Sequence, residues 1–393
     1  MRSSRLLLLQ LWAKLNIAAD IVFSPAAAVH GATSQMPLGL DDTIDIVSDS
    51  QFSGLMTFAN VPYVNCFVDS EATKQPYDIA FMGAPFDTGV TARPGARFGP
   101  GGIRQGSLRI RPDGAWSIYT GENVFASWAS IVDCGDVPLT FLDNTVALKQ
   151  LGKAHKVVSS RPANSSDVST IPRIITLGGD HTTTLPALRS TYKHWGPVSV
   201  IHFDSHIDTW DPSVLGTHSN SHISLPRGGI SNYAGVNHGT FLHIAHEEGL
   251  VLNSSSIHVG IRGPVVRPKN DIKNDIRCGF DIITARDIDR IGTRGIVEKI
   301  KNRVGNNKAY ISVDIDVLDP AFAPATGTPE PGGFSTRELL TILDALADTE
   351  VQVVGADVVE VAPIYDTAGE STALAAAEVA HSLLALMVSG PVK

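Results

Sequence analysis

Short runs of apolar, largely β-branched residues recur along the chain and alternate with longer segments of helical length. That rhythm predicts an α/β fold built on a parallel sheet. Core strands are expected at residues 77–83, 130–134, 173–177, 198–203, 256–261, 310–315 and 351–359. Several of them are apolar without alternation, as strands covered on both faces are. The serine-rich stretch 159–170, broken by Pro162, has no apolar period and reads as a solvated loop. Neither an internal repeat nor a domain linker follows it. Several strands end in a polar or glycine-rich cluster, such as Gly83-Ala84-Pro85, Gly178-Gly179-Asp180-His181 and Asp204-Ser205-His206. Ligands of open α/β sheets bind at the carboxyl ends of strands, so the chemistry is expected along that edge.

The strongest of these clusters is Asp204-Ser205-His206-Ile207-Asp208. In extended backbone, residues two apart share a face, so Asp204, His206 and Asp208 point the same way if the extension persists. Asp314-Ile315-Asp316 closes another strand in the same manner, and His181 adds an imidazole at a third strand end. A single His or Asp at a strand end is usually a cap or turn residue. Six ligand-type residues at three strand ends are a different matter. Neighbouring carboxylates repel and are costly to bury unless a cation or a proton compensates them. The set holds four carboxylates, two histidines and no thiolate, which suits manganese better than structural zinc. Four carboxylates exceed what one divalent ion needs, so the pattern implies a two-metal site.

These motifs, together with Ser312-Val313-Asp314-Ile315-Asp316-Val317-Leu318-Asp319-Pro320, resemble in content and order the ureohydrolase family of arginase, agmatinase and guanidinobutyrase. The resemblance runs from about Tyr77 to the end of the chain. It implies a three-layer α/β/α, arginase-like fold with a mainly parallel sheet, assembled as a trimer or hexamer, with two Mn2+ per chain. One ion would be held by His181, Asp204, Asp208 and Asp314, the other by Asp204, His206, Asp314 and Asp316. Asp204 and Asp314 would bridge. The resemblance further implies that metal-activated water attacks a guanidinium carbon, releasing urea and a primary amine. In that scheme Asp208 passes a proton to the departing amine, His238 relays protons near the substrate, and Glu360 pairs with the guanidinium.

Read without the resemblance, His238 is an ordinary loop histidine. Glu360 ends the apolar run Val358-Val359, where a buried carboxylate is costly without a cation, and a guanidinium is a planar, bidentate partner for it. The stretches Asp208-Thr209-Trp210-Asp211, Gly239-Thr240-Phe241, Gly260-Ile261-Arg262 and Glu360-Val361-Ala362-Pro363 look more like agmatinase than arginase. The favoured substrate is therefore agmatine, cleaved to putrescine and urea, with 4-guanidinobutyrate or another guanidino acid as the alternative. Arg262 is a candidate partner for a substrate carboxylate, or a structural residue. Residues 217–227 form a longer loop than the family's and bear on the placement of His238; His218 and His222 within it read as solvated histidines. The glycine-rich stretch 93–102 lacks the GK[ST] ending of a phosphate loop and reads as a turn entering a helix.

Composition narrows the partners. The chain has 393 residues, 43% of them hydrophobic, enough to bury a large core. Its 31 Lys and Arg against 40 Asp and Glu give a net charge of −9, with no basic cluster to track a phosphate backbone. Nucleic acid is not expected as a partner; nor is a membrane, since no apolar segment is read as reaching transmembrane length. Cys66, Cys134 and Cys278 form no CxxC pair and read as buried thiols. At the start, Arg2 and Arg5 precede the apolar run 6–11, and small residues follow at 26–28, a secretory-leader pattern that Lys14, Asn16 and Asp20 interrupt. The organisation expected is a leader segment at 1–35 and a single catalytic domain at 36–393, secreted if the leader is a signal peptide and cytoplasmic otherwise. The sequons at Asn164 and Asn253 are compatible with export. Two rival functions remain: a non-catalytic regulator that binds a guanidino compound or polyamine, and a one-zinc deacetylase-like enzyme, for which four carboxylates are too many.

Overall fold

The computed structural model describes residues 54–215 and 235–393. The expected leader and the loop carrying His218 and His222 lie outside the described residues. Eight strands, β1 (Ile79–Gly83), β2 (Ile131–Asp136), β3 (Arg173–Leu177), β4 (Ser199–Phe203), β5 (Ser256–Ile261), β6 (Phe280–Thr284), β7 (Lys308–Asp314) and β8 (Gln352–Val359), form one sheet in the order β2-β1-β3-β8-β7-β4-β5-β6. Every pairing is parallel. The seven strands expected from the sequence are all present. The eighth, β6, one of the two edge strands, was missed because Phe-Asp-Ile-Ile-Thr exposes its Asp and its Thr and lacks the apolar run of a covered strand.

The principal helices are α1 (Gly99–Gly106), α2 (Asn144–Ser159), α3 (Thr184–Trp195), α4 (Phe241–Glu247), α5 (Pro268–Arg277), α6 (Ile288–Val304), α7 (Thr336–Leu346) and α8 (Ser371–Ser389). They divide between the sheet's two faces because strand side chains alternate. Ile79, Phe81, Ile201 and Phe203 pack with Ile296, Leu343 and Leu383 of α6, α7 and α8. Ala80 and Met82 point the other way, to Leu151 of α2, while Val198 and Val200 meet Leu185 of α3 and Phe241 of α4. The result is three layers, α/β/α. The stretch 93–102 does enter a helix, α1, and residues beyond Ser159 form turns rather than an element. By length and composition α8 does reach spanning size, contrary to the sequence reading, but two-thirds of its apolar window is buried inside the fold. Its alanines let it lie close under the sheet as a core helix.

Cys66 and Cys134 are joined in a disulfide, which corrects the reading of three thiols; Cys278 is free and buried. The pairing follows from Tyr63 bridging to Asp133, which lays the segment before β1 alongside β2. A structural disulfide persists in oxidising surroundings. Thiol titration of the unfolded, unreduced protein should therefore find one reactive cysteine rather than three. Cys66→Ser, opening a link between residues 68 apart in sequence, should cost up to about 4 kcal/mol of stability in chemical denaturation.

His155 lies on the buried side of α2 with no hydrogen bond to its Nε2, and burial pushes its imidazole down to about 3. Below pH ~6.5 the unfolded chain takes up a proton that the folded chain refuses, so stability is lost as pH falls from there, by roughly 1 kcal/mol per unit. His155→Leu should flatten that acid limb. Urea denaturation at pH 7 and pH 5 should show the natural protein losing roughly 2 kcal/mol more than the variant, and equal losses would refute the assignment.

Candidate metal centre

The three strands that carry the expected ligands, β3, β7 and β4, and the one that ends at Glu360, β8, are consecutive in the sheet, in the order β3, β8, β7 and β4. Their carboxyl ends therefore open on one short stretch of edge. Past β3, Gly179 lets the chain pass against the loop after β1, where a Cβ would collide with the backbone of Phe86, and Gly178 lets it pass β8, where one would meet Val359. Asp180 then caps the turn that presents His181, accepting from the Thr182 amide at 2.9 Å. The ends of β4 and β7 supply the remaining five residues of the expected set.

The structure brings all six together. His181 Nδ1 lies 3.1 Å from Asp204 Oδ2, 3.1 Å from Asp208 Oδ2 and 3.3 Å from Asp314 Oδ2. His206 Nδ1 lies 3.3 Å from Asp204 Oδ1 and 3.1 Å from Asp316 Oδ2. Asp204 thus faces both groups with separate oxygens. The hydrogen bonds behind the cluster fix which nitrogen of His181 faces it. The Ser312 hydroxyl donates to Asp357, so it can only accept from His181 Nε2, 2.8 Å away. The proton of the neutral ring is then on Nε2, and Nδ1 turns a lone pair toward three carboxylate oxygens. His181 Nδ1 and Asp204 Oδ2 are buried and without a hydrogen-bond partner. A cation among these oxygens satisfies every group, so the residues present fit a metal.

Charge balance points the same way. Burial and then the charge of Asp204 push Asp208 up to about 6. Burial, Asp316 and Asp204 push Asp314 well above the usual carboxylate range. Burial would raise Asp204 too, but His202, His181 and His206 hold it well below that range. His181 and His206, against burial, are held well above the usual imidazole value by the carboxylates around them. Asp208 and Glu360 also sit at left-handed backbone positions, φ 49° and 61°, of the kind that is costly outside glycine and concentrates at functional sites.

Glu360 and His238 stand together beside this cluster. Glu360 Oε1 accepts from the His181 backbone amide at 2.9 Å and lies 3.0 Å from His238 Nδ1. The Thr91 amide donates to His238 Nε2 at 3.0 Å, so the ring's proton is on Nδ1 and goes to Glu360. Burial works against charge on His238, but Glu360, Asp208 and Asp180 carry its pKa up to about 9. The Thr91 amide favours the neutral ring nonetheless, because it needs the Nε2 lone pair. Glu360 Oε2 is buried with no hydrogen-bond partner.

Arg262 turns out to be structural: its guanidinium donates to the carbonyls of Glu330, Gly260, Val317, Asp316 and Leu318. Sequence reasoning missed His202, which with His181, Asp204 and Asp208 forms a group able to hold an ion. The signal was available, since His202 precedes Asp204 by two residues on β4 and shares its face. Asp180 was also missed; it accepts from the Gly89 amide at 2.7 Å and so ties the loop of Thr91 to that of His181.

The model of the Arginase family matches residues 77–386. "Putative agmatinase 1" of Schizosaccharomyces pombe is 51% identical over 353 residues, covering 88% of this chain and 85% of that one. Agmatinase of Neisseria meningitidis serogroup C is 36% identical over 313 residues, 79% of this chain and 87% of its own. Among solved structures, proclavaminate amidino hydrolase of Streptomyces clavuligerus superposes with a TM-score of 0.71 at 32% identity, covering 87% of this chain and 99% of that one.

Because the cluster stores carboxylate repulsion, Asp314→Asn should melt higher than the natural protein in chelator at neutral pH. It should also lose the stabilisation, about 3 kcal/mol at a hundredfold excess over Kd, that a divalent metal gives the natural protein. Differential scanning calorimetry with and without metal reads both effects; a variant that melts lower in chelator contradicts the first.

Proposed function

Because the chain belongs to the arginase family and is an agmatinase-like ureohydrolase, we propose that it binds two Mn2+ and cleaves agmatine to putrescine and urea. The observation that carries the substrate class is Glu360 Oε2, a buried carboxylate oxygen left without a partner beside a cluster of metal-ligating side chains. Such an oxygen calls for a cation, and a guanidinium presents paired N–H donors to it. The commitment of Arg262 to five backbone carbonyls removes it as a partner for a substrate carboxylate, which favours agmatine over a guanidino acid.

Two manganese ions, held by His181, Asp204, Asp208 and Asp314 and by Asp204, His206, Asp314 and Asp316, would supply water deprotonated near neutral pH and offset the carboxylate charge. The residues do the rest. Glu360, fixed by the His181 amide and by His238, orients the guanidinium so that its carbon faces the cluster. Asp208 carries a proton to the nitrogen whose bond to that carbon breaks. The water oxygen stays on the carbon as the carbonyl of urea, and the amine leaves with the proton. His238, at the edge of the buried site with Thr91 on its outer nitrogen, relays protons to solvent. Assembly as a trimer or hexamer belongs to the same proposal and is checked by light scattering.

Urea release should be compared on agmatine, arginine and 4-guanidinobutyrate with the manganese-loaded protein. Agmatine should be the substrate, and Asp204→Asn should abolish turnover. Urea from another guanidino compound moves the substrate and keeps the chemistry, whereas urea from none overturns the proposal.

A further inference from the structure

Behind Asp204 runs a chain of buried polar groups that the proposed chemistry does not use. His202 Nε2 lies 3.0 Å from Asp204 Oδ2, a close polar contact whose angle is not that of a hydrogen bond. Its Nδ1 meets Nδ1 of His258 at 2.7 Å, the two sharing one hydrogen, and His258 Nε2 lies 2.9 Å from Asp275 Oδ1. His202 and His258 are cross-strand partners in register on β4 and β5, and Asp275 reaches them from α5. All four side chains are fully buried. The Thr209 hydroxyl also donates to Asp275 Oδ1, at 2.6 Å, while Asn274 donates to the Thr209 carbonyl at 2.5 Å. One helix turn thus reaches the ligand loop twice, through two imidazoles to Asp204 and directly at Thr209, the residue following Asp208.

We infer that Asp275 and His258, acting through His202, position the shared ligand Asp204, so that α5 sets how tightly the site holds its metals. This rests on the two-metal reading above. The rings are enclosed by Phe280, stacked on His258 with centroids 4.1 Å apart, and by Phe241 beside His202. In such surroundings two histidines and an aspartate are costlier than apolar residues of the same volume, and packing alone gives no reason for them. Groups that orient a metal ligand from behind are such a reason: they hold a carboxylate oxygen where the ion requires it, and their loss typically costs 10- to 100-fold in metal affinity or activity. His258 and Asp275 are positioning residues in this scheme, since neither touches a ligand atom's metal-facing side.

The test uses the full chain loaded with Mn2+ and then challenged with EDTA, following manganese per chain by elemental analysis and the spin-coupled ion pair by EPR. In His258→Phe and Asp275→Asn, loss of manganese should be about 10- to 100-fold faster than in the natural protein, with an altered EPR signal. Excess Mn2+ in the assay should restore much of the turnover, and His258→Gln, whose amide can still bridge, should fall between. Thr209→Val, which removes only one hydroxyl, keeps the question answerable if the other variants do not fold, and should also release manganese faster. Variants that fold, keep two ions and release them at the natural rate overturn the inference alone. A natural protein that never holds two ions overturns the proposed function and this inference with it.

Discussion

Four aspartates crowded at the ends of adjacent strands repel one another, and the architecture around them exists to make that crowding tolerable. A carboxylate can be buried only with a counter-charge or hydrogen bonds. Asp204 is met by three imidazoles, Asp316 by the amide and hydroxyl of Ser205, Asp314 by the Asp316 amide and His181, and Asp208 by His181. What those partners leave open is a set of oxygens and one imidazole nitrogen facing inward, which is the demand of a cation.

The sheet order makes this possible. Only because β3, β8, β7 and β4 are neighbours do residues spread from His181 to Glu360 converge within hydrogen-bond distances. The layers on either face then serve two purposes. They cover the strands with apolar side chains, and one helix, α5, brings Asp275 to His258, while Ser312 of β7 and Asp357 of β8 stand behind His181 from within the sheet. The strained backbone at Asp208 and Glu360 shows where packing determines the site more strongly than local preference does.

The sequence carried the ligand set clearly because the ligands are written two apart at strand ends, although the extended backbone that spacing suggested does not persist: β4 ends at Phe203, Asp208 is left-handed and Asp316 lies in a 3-10 turn after β7. Seven strands were legible for a related reason, since strands covered on both faces are apolar throughout. Strand β6, at one edge of the sheet, was not, because it exposes its Asp and its Thr and its pattern merges with that of a loop. The disulfide was hidden as well: Cys66 and Cys134 stand 68 residues apart, and nothing in their spacing says that the chain before β1 returns to β2.

By itself the sequence determined which residue types stand at the strand ends, and hence the hard, oxygen-rich chemistry and the α/β rhythm that displays it. Only the tertiary structure decided which strands are neighbours, and with that the pairing of His202 with His258, the reach of Asp275 and the assignment of Arg262 to backbone carbonyls. The physical reason is that periodicity is a local property written in side-chain polarity, whereas strand order and register are set by how whole faces bury one another.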